Sequence, residues 1–338
     1  MNIGIVGFGG VGKAFVKLLY DKKNYLEKIG LDINLLYIIN STVGIYNPEG
    51  INLKNLIENL DLNKKLDEFY ASKYINTNFN KMIEIKDIDT LIVMTPTNKE
   101  TGQPGLSYIK QALENKINVV TADKGPVMLA YKKLNELAIK NNVQFKIGCT
   151  CGGALPTVNT GTIDMAGADI LSIEGILNGT TNFILEHMEN NMVSYHEALL
   201  EAQRLGIAET NPSLDVEGWD TAIKLLILTN VLMNQEKKLS DIAVKGITSL
   251  SLNDIEEAKR ENMKYKLIGK TTNDNGNIHM SVNLEKIDIS HPFYIVNSKN
   301  KGVRYISDTL GDLTIMGGAS GVRAASASIL RDIININC

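Results

Sequence analysis

The stretch that most constrains the fold is "NIGIVGFGGVG", residues 2–12. An apolar run leads directly into Gly7, Gly9 and Gly12 in G-x-G-x-x-G spacing, and the helical pattern "GKAFVKLLYDKK" follows. Glycine at these positions permits a tight turn, close approach of the backbone to a pyrophosphate, and close packing of helix on strand. The spacing therefore predicts a dinucleotide-binding turn at the start of a helix. The predicted contacts of this loop are Gly7, Phe8, Gly9, Gly10, Val11 and Gly12.

The rest of the first half alternates strands and helices. The buried runs "INLLYIIN", "TLIVMT", "INVVTA" and "VQFKIG" are separated by amphipathic helices, which predicts a parallel sheet built from right-handed βαβ units. Near residue 150 the pattern changes, and "NGNIHMSVNLEKI" has the alternation of an antiparallel strand. We expect an α/β Rossmann-type dinucleotide-binding domain over 1–148 and an α+β substrate domain with a mostly antiparallel sheet over 149–305. The last segment, 306–338, is expected to return to the first domain.

Composition excludes several classes of protein. A chain of 338 residues is long enough for two domains, and a net charge of −3 gives no basic field for nucleic acid. No apolar run is long enough to span a bilayer, and a strand from residue 2 leaves no room for a signal peptide. Cys149, Cys151 and Cys338 make no disulfide framework. We expect a cytoplasmic protein without nucleic-acid or membrane partners.

The choice between NAD and NADP is usually made at the end of the second strand, where an acidic residue binds the ribose 2′-hydroxyl of NAD. This chain has Asn40, Ser41 and Thr42 there. No carboxylate repels a 2′-phosphate, and Lys54 could approach from the next segment. The sequence therefore favours NADP and leaves use of both cofactors open.

Polar clusters in the second half indicate a second site. "LNGTTNFIL" puts a helix start at residues 179–181, a geometry that suits a carboxylate. "DVEGWDTAIKL" sets Asp220 four residues before Lys224, on one face of a helix. Two interpretations stay open for this pair: an ion pair worth only about 0.3–0.5 kcal/mol, or two groups that face one substrate hydroxyl.

Five stretches together resemble the homoserine dehydrogenase family over nearly the whole chain. In order, they are "TPTNKETGQPGLSYIKQAL", "VVTADKGPV", "NGTTNFIL", "GIAETNPSLDVEGWDTAIKL" and "MGGASG". The resemblance implies reversible NAD(P)-dependent oxidation of L-homoserine to L-aspartate 4-semialdehyde, on the route to threonine, methionine and isoleucine. The resemblance is to the short form of the family, which has neither a fused aspartate kinase nor a C-terminal regulatory domain. The same analogy implies a homodimer formed through an exposed apolar face of the second sheet.

The resemblance also implies roles for single residues. Lys224 matches the proton-transfer lysine, Asp220 the acid that orients it and holds the substrate hydroxyl, and Lys124 a second lysine near the nicotinamide. Glu209 matches the carboxylate that binds the substrate ammonium, and Asp215 a supporting contact. The helix start expected to bind the substrate carboxylate consists of Gly179, Thr180 and Thr181. The remaining cofactor positions are Asn40, Thr95, Pro96, Lys124, Gly206 and Gly321.

Three positions depart from the family pattern. Gly148 stands where a glutamate usually helps to hold a monovalent cation, so we assign no metal site with side-chain ligands. Backbone carbonyls of Cys151 and Gly153 remain available to sodium. Asp123 replaces the usual asparagine beside Lys124, where it could tether that lysine, and Ala325–Ser326 replaces threonine-alanine. These departures leave two alternatives open: a related dehydrogenase of another amino or hydroxy acid, or a catalytically weak nucleotide-binding regulator.

Overall fold

The computed structural model describes residues 1–66, 68 and 74–337, and the chain divides into two units. The first unit is Met1–Ala154 together with Gly321–Cys338, and the second is Leu155–Ser320. Among the described residues, no helix is long and apolar enough to cross a membrane. Cys338 lies outside the described residues, whereas Cys149 and Cys151 are buried free thiols.

Within its described residues, the first unit contains a seven-stranded sheet with helices beside it. Its strands are β1 (Asn2–Val6), β2 (Asn34–Ile39), β3 (Gly44–Tyr46), β4 (Ile75–Asn76), β5 (Thr90–Val93), β6 (Asn118–Thr121) and β7 (Phe145–Lys146). Its helices are α1 (Gly10–Asp21), α2 (Lys23–Lys28), α3 (Leu53–Asp61), α4 (Phe79–Ile85), α5 (Gly105–Glu114), α6 (Lys124–Lys140), α7 (Cys149–Gly152) and α14 (Val322–Ile336). The strand order is β4-β3-β2-β1-β5-β6-β7.

The parallel part of this sheet has the predicted Rossmann arrangement. Strands β2, β1, β5, β6 and β7 pair in parallel, and β3 and β4 extend the edge antiparallel. The chain leaves β1 toward β2 and later returns to the other side of β1 as β5, so a topological switch point lies between β1 and β5. Ligands of open α/β sheets bind at the carboxyl ends of the strands at such a point.

Helix α14 packs beside α1, so the C-terminal segment returns to the first unit. The Ser326 hydroxyl donates to the Val11 carbonyl oxygen at 3.1 Å, and Ile329 and Ile333 are fully buried in the same core. This position explains why a small residue stands at 326, where the side chain is completely buried.

The second unit, as far as it is described, is a six-stranded sheet with helices. Its strands are β8 (Ile170–Ile176), β9 (Ala243–Val244), β10 (Lys264–Asp274), β11 (Asn277–Ile287), β12 (Lys301–Ser307) and β13 (Asp312–Gly317). Its helices are α8 (Thr157–Asn159), α9 (Gly179–Asn191), α10 (Tyr195–Arg204), α11 (Ser213–Val216), α12 (Trp219–Leu232) and α13 (Leu252–Arg260). The order is β13-β12-β8-β10-β11-β9, with antiparallel pairing except between β9 and β11. The mostly antiparallel sheet is confirmed.

The unit boundaries differ from the expected ones. The first falls after Ala154 instead of residue 148, and the second after Ser320 instead of residue 305. The second difference has a clear cause, because β12 pairs with β8 and β13 pairs with β12. Both strands therefore belong to the second sheet, and only the segment from Gly321 onward belongs to the first unit.

The two faces of the second sheet differ in character. On one face Gly269 lies against Thr221 and Leu225 of α12. On the other, Glu174 of β8 stands in a cross-strand row between Lys270 and Arg304, with Nζ–Oε1 2.7 Å and Nη1–Oε2 3.4 Å. This second face is also partly covered by a core of Ile176, Ile268, Ile287, Phe293 and Val296. The expectation of an exposed apolar sheet face is therefore wrong at this row, because ion pairs around the buried Glu174 carboxylate occupy it.

Candidate active site

The glycine loop of the first unit has the geometry that a pyrophosphate requires. Gly7 has φ +92°, and a side chain there would meet the Met94 carbonyl group at 2.5 Å. A side chain on Gly12 would meet the Gly7 carbonyl oxygen at 2.9 Å. Gly9, by contrast, precedes α1 and has open space where its side chain would stand. The loop is therefore closed toward the sheet and open at the helix N-terminus, where backbone N–H groups attract anions.

Gly321 and Val322 begin α14 next to this loop. The Val322 side chain lies 3.3 Å from the point where a side chain on Gly10 would stand. Gly321 has φ +97° and open space around it. The structure thus brings one predicted cofactor position from the end of the chain to the glycine loop at its start.

A pocket of about 310 Å³ lies at the carboxyl end of β2, and Asn40, Ser41, Thr42 and Tyr108 are among its lining residues. The Asn40 side-chain oxygen accepts from the Thr42 and Val43 backbone N–H groups at 2.8 and 2.7 Å, which fixes the turn. No charged side chain is found among the described lining residues of this pocket.

Lys54 does not lie in this pocket. It lines a separate groove of about 720 Å³ with Met1, Asn2 and Asn34. These residues stand at the amino ends of β1 and β2, whereas Asn40 follows the carboxyl end of β2. The expectation that Lys54 approaches Asn40 is therefore wrong, because α3 holds it at the opposite edge of the sheet.

Lys124 opens α6 directly after β6, at the carboxyl edge of the parallel sheet. Asp123 caps this helix: one carboxylate oxygen accepts from the Gly125 N–H at 2.9 Å and the other from the Thr95 hydroxyl at 2.7 Å. Burial raises the pKa of Asp123, and its hydrogen bonds from Thr95 and Gly125 oppose that change. The carboxylate beside Lys124 is thus held as a helix cap, a task that asparagine also performs.

In the second unit, α12 carries the Asp220–Lys224 pair. The helix is apolar on nearly all sides, and its buried residues are Thr221, Ala222, Ile223, Leu225, Leu226, Ile227, Leu228 and Thr229. The Lys224 Nζ lies 2.6 Å from Asp220 Oδ2, and both side chains are only 14% exposed. The same ammonium donates to the Leu177 carbonyl oxygen at 2.9 Å. The pair is therefore not a solvated surface ion pair.

Asn178 connects this pair to the rest of the site. Its side-chain nitrogen donates to Asp215 Oδ1 at 2.6 Å and to Asp220 Oδ2 at 2.9 Å. Its side-chain oxygen accepts from the Thr181 N–H at 2.9 Å and so caps α9. One buried amide thus holds two carboxylates and starts a helix. The sequence signal was the N-cap asparagine before "GTTN", which indicated the cap but not the two carboxylates.

The other predicted substrate residues lie around the start of α9 and the end of α10. Gly179 lies against the Lys299 carbonyl group, Thr180 donates its hydroxyl to the Ile207 carbonyl oxygen at 3.1 Å, and Thr181 is buried. Glu209 follows α10 with an exposed side chain, and its backbone carbonyl oxygen accepts from Gln203. Gly206, with φ +66°, lies two residues after the end of α10.

Lys301 is a buried group that the sequence did not reveal. It opens β12 with 6% of its surface exposed, and its Nζ donates to the Ser320 hydroxyl at 2.8 Å. The pKa of Lys301 is lowered to about 8, chiefly by burial and also by the Lys224 ammonium, whereas the Asp220 carboxylate acts to raise this pKa. In "KNKGVRYIS", no pattern distinguishes Lys301 from the exposed Lys299 two residues earlier.

The segment around Gly148 is built from the first unit alone. The Gly148 N–H donates to the buried carboxylate of Asp332 at 2.7 Å, and the Cys149 thiol donates to the Ala325 carbonyl oxygen at 3.4 Å. Burial raises the pKa of Cys149 to about 12, so this thiol is protonated and unreactive. Among the described residues, no group of three or more His, Cys, Asp or Glu side chains could hold a metal ion.

Comparisons with known proteins agree with this architecture. The family model for homoserine dehydrogenase matches residues 156–334, and that for an oxidoreductase family with an NAD-binding Rossmann fold matches residues 1–148. A homoserine dehydrogenase of Methanocaldococcus jannaschii is 37% identical over 99% of this chain and 98% of its own length. An NAD(+)-dependent homoserine dehydrogenase of Pseudomonas canavaninivorans is 33% identical over 99% and 96%. The crystal structure of a putative homoserine dehydrogenase from Archaeoglobus fulgidus superposes with a TM-score of 0.87, at 29% identity over 99% of both chains.

Proposed function

Because the chain belongs to the homoserine dehydrogenase family, we propose that it oxidises L-homoserine reversibly to L-aspartate 4-semialdehyde with NAD(P), and that Lys224 and Asp220 handle the hydroxyl proton. One observation carries the assignment of residues: the 2.6 Å contact between Lys224 Nζ and Asp220 Oδ2 on a helix that is buried on nearly all sides. A pair held in that way has a fixed direction, which a solvated pair lacks.

Oxidation of the alcohol breaks one C–H bond and one O–H bond at the same carbinol and forms a C=O bond. The oxidised nicotinamide supplies the acceptor for the hydride when it is bound. The hydroxyl proton passes to the neutral amine of Lys224, and in the reverse direction the Lys224 ammonium returns it. Asp220 accepts a hydrogen bond from Lys224 and so fixes the direction of the proton transfer.

A zwitterionic amino acid also needs partners for its two charged ends. We assign the substrate ammonium to the exposed carboxylate of Glu209, with Asp215 in support, where Asn178 holds it. The substrate carboxylate is assigned to the start of α9, at Gly179 and Thr180. The Thr181 N–H is used by the Asn178 cap, so the N–H groups of the first two residues of the helix are those proposed to face the substrate.

The cofactor fits the first unit on structural grounds, because Gly9 leaves open space at the N-terminus of α1. Predicted contacts from Thr95, Pro96 and Lys124 follow β5 and β6 at the same carboxyl edge. The uncharged pocket at Asn40, Ser41 and Thr42 supports use of both NAD and NADP. The preference for NADP predicted from the sequence depended partly on Lys54 as a cation for the 2′-phosphate, and Lys54 lies in a separate groove.

The test is the formation of NAD(P)H from L-homoserine, followed by absorbance, with each cofactor in sodium and in potassium buffer. We expect turnover with both cofactors and kcat/KM values within about tenfold of each other, because no charge selects a 2′-phosphate. A preference of more than about a hundredfold for either cofactor would contradict the neutral pocket. Dependence on sodium would support cation binding by the backbone carbonyls at Cys151 and Gly153.

Lys224→Met separates the proton-transfer role from a structural one. Loss of a positioned acid–base group costs about 10²–10⁴-fold in rate, so we expect a fall in kcat of that size with the fold intact. The matched control is Lys270→Met, which removes another ion-paired lysine, on the face of the sheet opposite α12. Equal effects of the two substitutions on kcat would leave Lys224 as a structural residue.

A homodimer remains part of the proposal, and light scattering that finds a monomer at working concentrations would contradict it.

A further inference from the structure

The amine of Lys301 lies at the same end of the second sheet as the Asp220–Lys224 pair. Strand β12 runs antiparallel to β8 with Gly302 opposite Ile176, which places Lys301 across from Leu177. The Leu177 carbonyl oxygen is the one that accepts from Lys224. Two residues before Lys301, the Lys299 carbonyl group packs against Gly179. The start of β12 therefore lies beside the segment that carries Asn178 and the carbonyl partner of Lys224.

The charges in this region explain why a second cation is useful. Asp220 is in direct contact with Lys224, and Asp215 shares the Asn178 amide with Asp220. Asp220 thus places a negative charge directly on the Lys224 ammonium, and Asp215 adds a second one to the same hydrogen-bonded group. Alcohol oxidation requires the opposite state, because only a neutral amine accepts the hydroxyl proton. The Lys301 ammonium opposes the carboxylates, because it is a second positive charge that acts on Lys224 from the strand beside Leu177.

Another buried lysine shows what a purely structural lysine looks like in this sheet. Lys266 is 2% exposed and donates to Asn182 Oδ1 at 3.0 Å and to the Val296 carbonyl oxygen at 2.6 Å. It thus links β10 to α9 and to the segment after His291. Within the described part of the chain, the hydrogen bond of Lys301 goes to one hydroxyl, that of Ser320. Its electrostatic partners are Lys224 and Asp220.

We propose that Lys301 is a positioning residue of the oxidation, whose ammonium group repels that of Lys224 and so favours the neutral Lys224 amine that accepts the substrate proton. The proposal rests on the proposed function. It treats the two lysines as a coupled pair, so that the acidic limb of the pH–rate profile belongs to the pair and not to either lysine alone. Ser320 holds the Lys301 amine in place, and Asp220 and Asp215 are the carboxylates whose charge it offsets.

The experiment is the pH profile of kcat/KM for homoserine oxidation between about pH 6 and 10, in wild type, Lys301→Met and the matched control Lys266→Met. We expect Lys301→Met to move the acidic limb upward by about one pH unit, which is a loss of about tenfold near pH 7 that is recovered at high pH. Lys266→Met removes an equally buried lysine and is expected to lower the melting temperature without moving the limb. A Lys301→Met profile that is lowered equally at every pH would overturn the proposal.

Lys301→Arg keeps the test open if the methionine variant does not fold. Arginine stays protonated throughout this range, so the repulsion persists and the acidic limb should stay in place or move down. An upward shift in this variant would overturn the proposal. Failure of the proposed function is distinct, because it would appear as a wild-type protein that forms no NAD(P)H from homoserine at any pH.

Discussion

Replacement of Asn178 by aspartate separates two tasks that one side chain performs. The Asn178 nitrogen donates to Asp215 at 2.6 Å and to Asp220 at 2.9 Å, while its oxygen caps α9 through the Thr181 N–H. The introduced aspartate would keep an acceptor for the cap, since aspartate caps helices as well as asparagine does. It would replace the shared donor by a third acceptor. We therefore expect a folded protein in which the carboxylates of the site repel one another.

The magnitude follows from the distances. Two hydrogen bonds to charged groups are lost, at roughly 1.5–3 kcal/mol each. Two carboxylates about 3 Å apart repel by about 5 kcal/mol at an effective dielectric constant of 20. Binding one proton to a carboxyl at pH 7 costs roughly 4 kcal/mol, so the trio takes up a proton instead of bearing the full repulsion. We expect kcat/KM to fall by about 10²–10³-fold near pH 8, because Asp220 no longer holds Lys224 in one direction.

The assay is homoserine oxidation at pH 6, 7 and 8 for Asn178→Asp and Asn178→Ser, with melting temperatures for both. The loss in Asn178→Asp should shrink as the pH falls, because the proton that relieves the repulsion becomes easier to bind. Asn178→Ser keeps a cap acceptor and adds no charge, so its loss should be smaller and independent of pH. If Asn178→Asp stays within about threefold of wild type at pH 8, Asn178 does not hold the two carboxylates in the working enzyme.

Three further outcomes follow from single contacts. Gly9→Ala should raise the KM for the cofactor by about tenfold or more without lowering the melting temperature, because the new methyl group would stand in open space at the proposed pyrophosphate site. Gly7→Ala should instead disrupt the loop, because its methyl group would collide with the Met94 carbonyl group. Asp123→Asn should stabilise the protein more at pH 7 than at pH 4. Burial raises the Asp123 pKa, so the stability of the wild type falls as the pH rises through that raised value, and asparagine does not ionise. A larger gain in melting temperature at pH 4 than at pH 7 would contradict this. The pKa of Lys266 is lowered from 10.5 to about 8, so the unfolded chain binds more protons between these values and the free energy of unfolding should rise with pH across that window; denaturant titrations of Lys266→Met should show a flatter dependence.

Local patterns were sufficient for the first domain. The strand–glycine–helix order at residues 2–12 and the alternation after it predicted the parallel sheet, because βαβ units leave few other arrangements. The edge strands β3 and β4 were not predicted, since three and two residues carry too little pattern. Lys54 was misplaced for a related reason: its position depends on how α3 packs, and that packing is not visible in the order of strands.

The second domain shows where sequence reasoning stops and why. The buried character of the Asp220–Lys224 pair was present in the sequence, because "TAIKLLILTNVL" is apolar on nearly all sides and offers almost no solvated face for an ion pair. Lys301 offered no such signal. Its burial depends on the pairing of β12 with β8, whose residues lie more than a hundred positions away, and on a hydroxyl in the glycine loop that follows β13. A lysine that opens a strand is usually solvated, so only the tertiary pairing distinguishes it from Lys299. The groups that adjust the charge of a site are therefore the hardest to predict, since the site itself can be recognised from one helix whereas its electrostatic surroundings come from several.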